Sequence, residues 1–491
     1  MRELPTALAD SGWQATVITP SYGTFHELPN AKRLDTVDVA FRDATHAVDV
    51  FDVPGSERQV RNIAFEHPHF SPLGPGKVYC DDEPERPFAN DASKFAFFSA
   101  TAANWIEQLP ELPDVVHLHD WHAAFYLLQR NFAPEHAQLQ DVRTVFTIHN
   151  LSYQGTRPLR GDESSLETWF PALNYDASLV RDPVNTDCVN PMALAIRLAD
   201  RISTVSPTYA REIRRPSDPA RGFVGGEGLE VELENAAKTD RLVGILNGCP
   251  YHDKKDKRPA WHDMVQLAAD QVTAWLDRDP DAAPHEIAKS RLAALPEERP
   301  AHLLVSIGRL VPQKMSLFLQ ELADGRTALE HIASGLGGDG VFILLGSGDA
   351  ELERHIVEVA RRCEQLIFLR GYSESVADCL YRGGDLFLMP SSFEPCGISQ
   401  MLAMRAAQPC VVHGVGGLCD TVEHGKTGFV FAGSPPVEQA SNFVAMVDRA
   451  LDLRVSDHNR WQKICTRAAS QRFDWSQSAR QTVKHLYGFA D

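Results

Sequence analysis

One pattern returns along most of the chain and limits what it can fold into. A short apolar or β-branched run is followed by a polar or glycine-rich turn, and then by an amphipathic helix. Val115-Val116-His117-Leu118 leads into HDWHAAFYLLQR, VRTVFTI into HNLSYQG, and RISTVS into the helix-like TYAREI. Further on, HLLVSIG precedes RLVPQK, VFILLG precedes SGDAELERHIVEVARR, DLFLMPS precedes SFEPCGISQMLAMRAA, and CVVHG precedes VGGLCDTV. Strands alternating with helices predict an α/β protein whose parallel sheets are covered on both faces. The rhythm pauses between about Asn247 and Arg299, where HDKKDKRPAW and DRDPDAAPHE carry the charge and proline of an interdomain or surface segment. A chain of 491 residues exceeds one ordinary core. The reading is therefore two doubly wound Rossmann-like domains facing a cleft, residues 1–246 and 247–473, with a final helix over 474–491. In such sheets ligands bind beyond the carboxyl ends of the strands, and the polar motifs quoted fall at those ends.

Composition narrows the partners. A net charge of −18 argues against general nucleic-acid binding, which needs a basic footprint. It leaves room for an anionic small ligand, since a site needs only a few local cations. No apolar run is long enough to span a bilayer, and no signal peptide precedes Met1. Nine scattered cysteines without a C-x-x-C pair fit a reducing cytosol, so a cytoplasmic location is expected.

Several motifs could carry chemistry. HLHDWH, from His117 to His122, suggests a metal cluster, but Asp120 sits one place too early for H-x-H-x-D-H. No cysteine or carboxylate cluster completes a site, so it is read as a polar strand end, with no metal and no cofactor. In SIGRLVPQK, Arg309 and Lys314 lie just beyond a buried strand, where two fixed cations suit a diphosphate leaving group. In SSFEPCGIS, a turn holds Glu394 and a helix is expected to start near Gly397. Free N–H groups of Gly397, Ile398 and Ser399 there would make an anion site. Glu394, being negative, suits sugar hydroxyls and a cationic transition state instead. Gly416 and Gly417 permit close backbone approach, Gly346 offers another turn after a strand, and His149 is a donor at a strand end in the first half.

These motifs, in this order, resemble those of the bacterial glycogen (starch) synthases. HDWHAA, TIHNLSYQG, ADRISTVSPTYAREI, GILNG, GRLVPQK, FLMPSSFEPCGISQMLAMR and VGGLCDTVEHGKTGFVF look like that family's successive hallmarks. The resemblance implies a GT-B fold and a retaining glucosyl transfer without metal. Its usual donor is ADP-glucose, and its acceptor is the non-reducing 4-hydroxyl of an α-1,4-glucan such as glycogen. Carried over by motif, Arg309 and Lys314 would hold the diphosphate and Glu394 the glucose hydroxyls, assisted by the CGIS helix start. Asp120 and His149 would contact the transferred glucose, and Tyr372 would lie near the adenine. A UDP-glucose-dependent transferase and a non-catalytic glucan- or nucleotide-binding relative are the competing expectations.

The chain also departs from the family pattern. Leu402 stands where related transferases carry a second glutamate, Pro250 replaces the aspartate of NGID, and Ala193 stands where a lysine often precedes ADR. The family begins with a strand and a K-x-G-G-L loop ahead of the helix seen here as MRELPTALADSG, which is read from Arg2 to Ala9. The expectation is a sheet lacking that first strand, and weak or no synthase activity.

Overall fold

The opening run forms a helix, α1 (Glu3–Asp10), with Ala7 and Leu8 buried. It stops where Gly12 adopts φ +93° and donates its N–H to Ala9, while Trp13 reaches back to Leu8. The computed structural model describes residues 3–55, 59–80, 82–251 and 257–489, so Arg2 of the expected helix lies outside the described residues. The chain divides into two units. One holds the chain up to Ser217, Gly225–Ile245 and the segment from Trp475 onward; the other holds Asp218–Val224 and Leu246–Asp474.

The first unit carries two four-stranded sheets. In one, β1 (Ala15–Pro20) pairs in parallel with β4 (Val60–Glu66), and the antiparallel hairpin β2 (Lys32–Phe41) and β3 (Ala44–Asp52) extends the sheet through β3. In the other, β5 (Val115–His119), β6 (Arg143–Ile148), β9 (Arg201–Thr204) and β10 (Leu242–Gly244) are parallel. A short pair, β7 (Arg157–Pro158) with β8 (Cys188–Val189), stands apart. Strand–helix alternation predicted parallel sheets, and the antiparallel hairpin is a difference. Its strands alternate buried and exposed residues, as Val37, Val39 and Phe41 do, because only one face meets the core. The expected single tail helix is instead an α-helix (Trp475–Thr482) that loosens into a π-helical turn (Val483–Tyr487). Val483, Leu486 and Tyr487 pack there with Ala7, Leu8 and Val145.

The second unit is built on one six-stranded parallel sheet. Its strands are β11 (His302–Ile307), β12 (Gly340–Gly346), β13 (Leu366–Arg370), β14 (Leu386–Met389), β15 (Cys410–His413) and β16 (Phe429–Phe431). The order β13-β12-β11-β14-β15-β16 reverses direction between β11 and β14. That reversal is the topological switch point at which doubly wound sheets bind ligands. Continuous burial along β12 and β14 is what a strand covered on both faces requires.

The charge- and proline-rich segment expected as an interdomain or surface stretch is instead largely structured. It contains two helices, Trp261–Leu276 and Ala283–Ala293, that pack on this sheet. Trp261, Met264, Ala268 and Val272 form an apolar stripe at helical spacing, hidden in the sequence by its charged flanks. Residues 252–256 of HDKKDKRPAW lie outside the described residues. No helix among the described residues is long and apolar enough to cross a membrane.

Trp261 is 8% exposed, and its indole N–H donates to the carbonyl of Pro296 at 3.0 Å. Trp261→Ala should therefore cost about 3–5 kcal/mol in urea unfolding of the second unit. A mere surface segment would give a change within about 0.5 kcal/mol.

Candidate active site

At the switch point two loops are bound together. After β11, Gly308, Arg309, Leu310 and Val311 lead into a helix (Pro312–Leu319), opened by a proline whose missing N–H costs nothing there. After β14, residues 390–398 lead into the helix Ser399–Arg405. Ser392 donates its N–H to the carbonyl of Gln313 at 2.8 Å, and the Gln313 amide donates to that of Phe393 at 2.9 Å. These bonds bring the Lys314 ammonium to 2.7 Å from Glu394 Oε2. Ser391 Oγ donates to the same oxygen at 2.9 Å. Both side chains are largely buried, so the pair acts in a lower dielectric than a surface pair would.

A further ring of contacts fixes Glu394. His413 Nδ1 donates to the Ser391 carbonyl at 2.9 Å, and its ring stacks on Phe431 with centroids 5.0 Å apart. Burial lowers the His413 pKa, which favours this neutral donor. The Gly417 N–H donates to the Glu394 carbonyl at 3.0 Å. A Cβ on Gly417 would sit 2.4 Å from the Cys396 carbonyl oxygen, so only glycine lets these loops meet. Sequence reasoning singled out neither Ser391 nor His413; their one signal is a polar residue at or just past the end of a buried strand.

The remaining expected residues of this unit fall into different surroundings. Arg309 is exposed, and its side chain has no partner among the described residues. Tyr372, just after β13, is 73% exposed. Ile398 is exposed and caps the helix that begins at Ser399, as expected near Gly397, which takes φ +75° in the preceding loop. Ser399 hydrogen-bonds Tyr381. Gly416 opens the short helix Gly416–Thr421 at φ +45°. Gly346 serves packing: a Cβ there would lie 2.1 Å from the Gly308 carbonyl oxygen, where the loops after β11 and β12 meet.

In the first unit the polar residues stand at the ends of β5 and β6, adjacent parallel strands in which His119 pairs with Thr147. Asp120 adopts φ +55° and ψ −179°, a sparsely populated positive-φ conformation that costs on the order of 1–3 kcal/mol in a non-glycine residue. Its N–H donates to the Thr147 carbonyl at 2.9 Å. Its Oδ1 accepts the N–H groups of His149 at 2.7 Å and Asn150 at 3.4 Å, and so holds the loop after β6. Burial raises its pKa to about 6, outweighing those two donors.

Three imidazoles follow in series. His149 Nε2 lies 3.0 Å from His119 Nδ1, and His119 stacks on His117 with centroids 4.4 Å apart. Both nitrogens of His117 are engaged, by the Tyr487 hydroxyl at 2.9 Å and the Thr147 hydroxyl at 2.6 Å. His117 and His119 of HLHDWH are therefore tied to protein groups. Burial pushes His149 down to about 4 and His117 to about 3, and holds His119 well below the usual range. At neutral pH His149 is an uncharged hydrogen-bonding group.

Comparison with known proteins places the chain in a family. The starch synthase catalytic domain family matches residues 1–235, and the glycosyl transferases group 1 family matches residues 301–450. The chain is 34% identical to a glycogen synthase of Anaeromyxobacter sp. over 502 residues, covering 99% of this chain and 94% of that relative. A glycogen synthase of Gloeobacter violaceus is 32% identical over 491 residues, covering 97% and 92%. Among solved structures, the catalytic domain of starch synthase IV from Arabidopsis thaliana, bound to ADP and acarbose, superposes with a TM-score of 0.75 at 27% identity. That superposition covers 99% of this chain and 94% of the other. Sucrose-phosphate synthase from Thermosynechococcus elongatus, at 17% identity and a TM-score of 0.55 over 98% and 90% of the two chains, shares the fold.

Asp120 gives a pH test. Its folded pKa is raised, so its contribution to stability is full below the unfolded value and is lost as pH rises through about 6. The loss should be about 1 kcal/mol between pH 5 and pH 7, within a total of about 3. Asp120→Asn keeps an acceptor for the two N–H groups and cannot ionise. Its stability in urea relative to the parent chain should rise by that amount between the two pH values; a constant difference would contradict the assignment.

Proposed function

Because the chain belongs to the glycogen synthase family and is a glycosyltransferase of the glycogen/starch synthase kind, we propose that it transfers glucose from ADP-glucose to the non-reducing 4-hydroxyl of an α-1,4-glucan, with retention. The observation that carries the residue assignment is the Lys314–Glu394 pair at the sheet's switch point. A departing nucleoside diphosphate develops negative charge at its leaving oxygen, and pre-positioned cations lower that barrier. Lys314, held from below by Glu394, and Arg309, exposed and unpartnered among the described residues, are those cations.

Glu394 keeps one oxygen engaged with Lys314 and Ser391, leaving its other oxygen to accept from the glucose hydroxyls. Its negative charge tolerates the positive charge that grows on the sugar ring. Gly397, Ile398, Ser399 and Gly416 line the diphosphate through the backbone, while Gly417 and Gly346 shape the loops that carry Glu394 and Arg309. Tyr372 offers an exposed aromatic face to the adenine. In the first unit, neutral His149 donates to a hydroxyl of the transferred glucose. Asp120 orients it by fixing the His149 N–H. Support for the donor and the glucan comes from the related starch synthase, which is bound to ADP and acarbose.

The test is ADP release from ADP-glucose with and without added glycogen. Arg309→Ala and Lys314→Ala should each lower turnover by at least about 10²- to 10³-fold. Arg309→Ala should leave unfolding within about 0.5 kcal/mol of the parent, as befits an exposed side chain. Near-parental rates in both variants would sink the residue assignment. A higher kcat/KM with UDP-glucose than with ADP-glucose would overturn the donor.

A further inference from the structure

Three histidines outside the candidate active site converge in the first unit. His46 lies on β3 opposite Val39 of β2, His67 directly follows β4, and His69 lies in the short helical turn Pro68–Phe70. One ring nitrogen from each lies within 4.8 Å of the other two. The ring centroids are 5.2 Å apart for His46 and His67, 4.9 Å for His46 and His69, and 4.8 Å for His67 and His69. Phe97 backs all three, its centroid 5.0–5.4 Å from theirs. Each of the three residues is half-buried.

We propose that His46, His67 and His69 bind a zinc-type divalent cation through three imidazole nitrogens, with a remaining position open to water. Three neutral nitrogens with no carboxylate among them suit zinc, copper, nickel or cobalt, and do not suit calcium or magnesium, which want oxygen. Zinc–nitrogen bonds of about 2.0–2.1 Å in a tetrahedron set the nitrogens roughly 3.3 Å apart. The rings need to close by at most about 1.5 Å, which side-chain torsions of half-exposed histidines supply. Burial already keeps His67 and His69 below the usual imidazole range, in the uncharged form that ligates.

Two features oppose binding and set its strength. His67 Nδ1 accepts the His69 N–H at 3.2 Å, a long hydrogen bond that ligation through that nitrogen would give up. Arg42, whose guanidinium lies over Phe41 at 5.7 Å, places a positive charge near His69. A bound ion would join β3 to the segment after β4, where the three rings already touch.

The test uses cobalt(II) as a coloured probe for a zinc site, titrated into the full chain after chelator treatment. One equivalent should give the visible absorption of a four- or five-coordinate nitrogen site, and zinc should abolish it. His46→Gln and His69→Gln should each weaken cobalt binding at least about tenfold. Thermal unfolding of the parent should shift upward with zinc, and that of the double variant should not. Should a histidine variant fail to fold, Arg42→Ala keeps all three rings and removes the opposing charge; it should bind cobalt more tightly. Absence of the absorption in the parent overturns the proposal. So does its persistence in the double variant, or unchanged affinity in Arg42→Ala.

Discussion

One ammonium–carboxylate contact, Lys314 to Glu394, ties together the loops that leave the two paired strands on either side of the switch in the second sheet. Everything around it serves to keep it in place. Gln313 and Ser392 fasten the two loops, Ser391 shares the carboxylate, His413 holds Ser391, and Gly417 holds the backbone of Glu394 itself. Removing one member of a largely buried pair leaves the other charge without its counterpart, which costs far more than a surface pair is worth. That asymmetry explains why so much of the loop geometry is spent on one contact.

The first unit solves a similar problem with neutral groups. Its polar residues at the ends of β5 and β6 form a series of imidazoles and hydroxyls in which burial removes charge. Asp120 is the exception, ionising near neutrality because backbone donors partly offset its desolvation. One unit thus supplies fixed charges and the other supplies neutral hydrogen-bonding groups.

Much of this was legible in the sequence, and the reasons differ by residue. Arg309, Lys314 and Glu394 stood out in the sequence as charged residues in turns that follow buried strands, but that Lys314 pairs with Glu394 while Arg309 is left exposed is decided by tertiary contact. Asp120 and His149 stood out the same way, but their mutual backbone contact depends on a positive-φ residue that no spacing announces. The helices over 261–276 and 283–293 were hidden because their flanks carry the charge and proline that suggest a loop. Gly346 and Gly417 showed themselves as glycines, yet whether a glycine serves a ligand or a neighbouring loop is decided by tertiary contact. His46, His67 and His69 come together from a hairpin and a helical turn, and sequence separation concealed them.

The return of residues 475–487 to the first unit has a consequence for how the chain is made. Val483, Leu486 and Tyr487 close a core begun by Ala7 and Leu8, and Tyr487 secures His117. On the ribosome the second unit is completed while that gap is still open. The unit synthesised first is therefore finished last, and its unsealed apolar surface is what a chaperone would meet during translation.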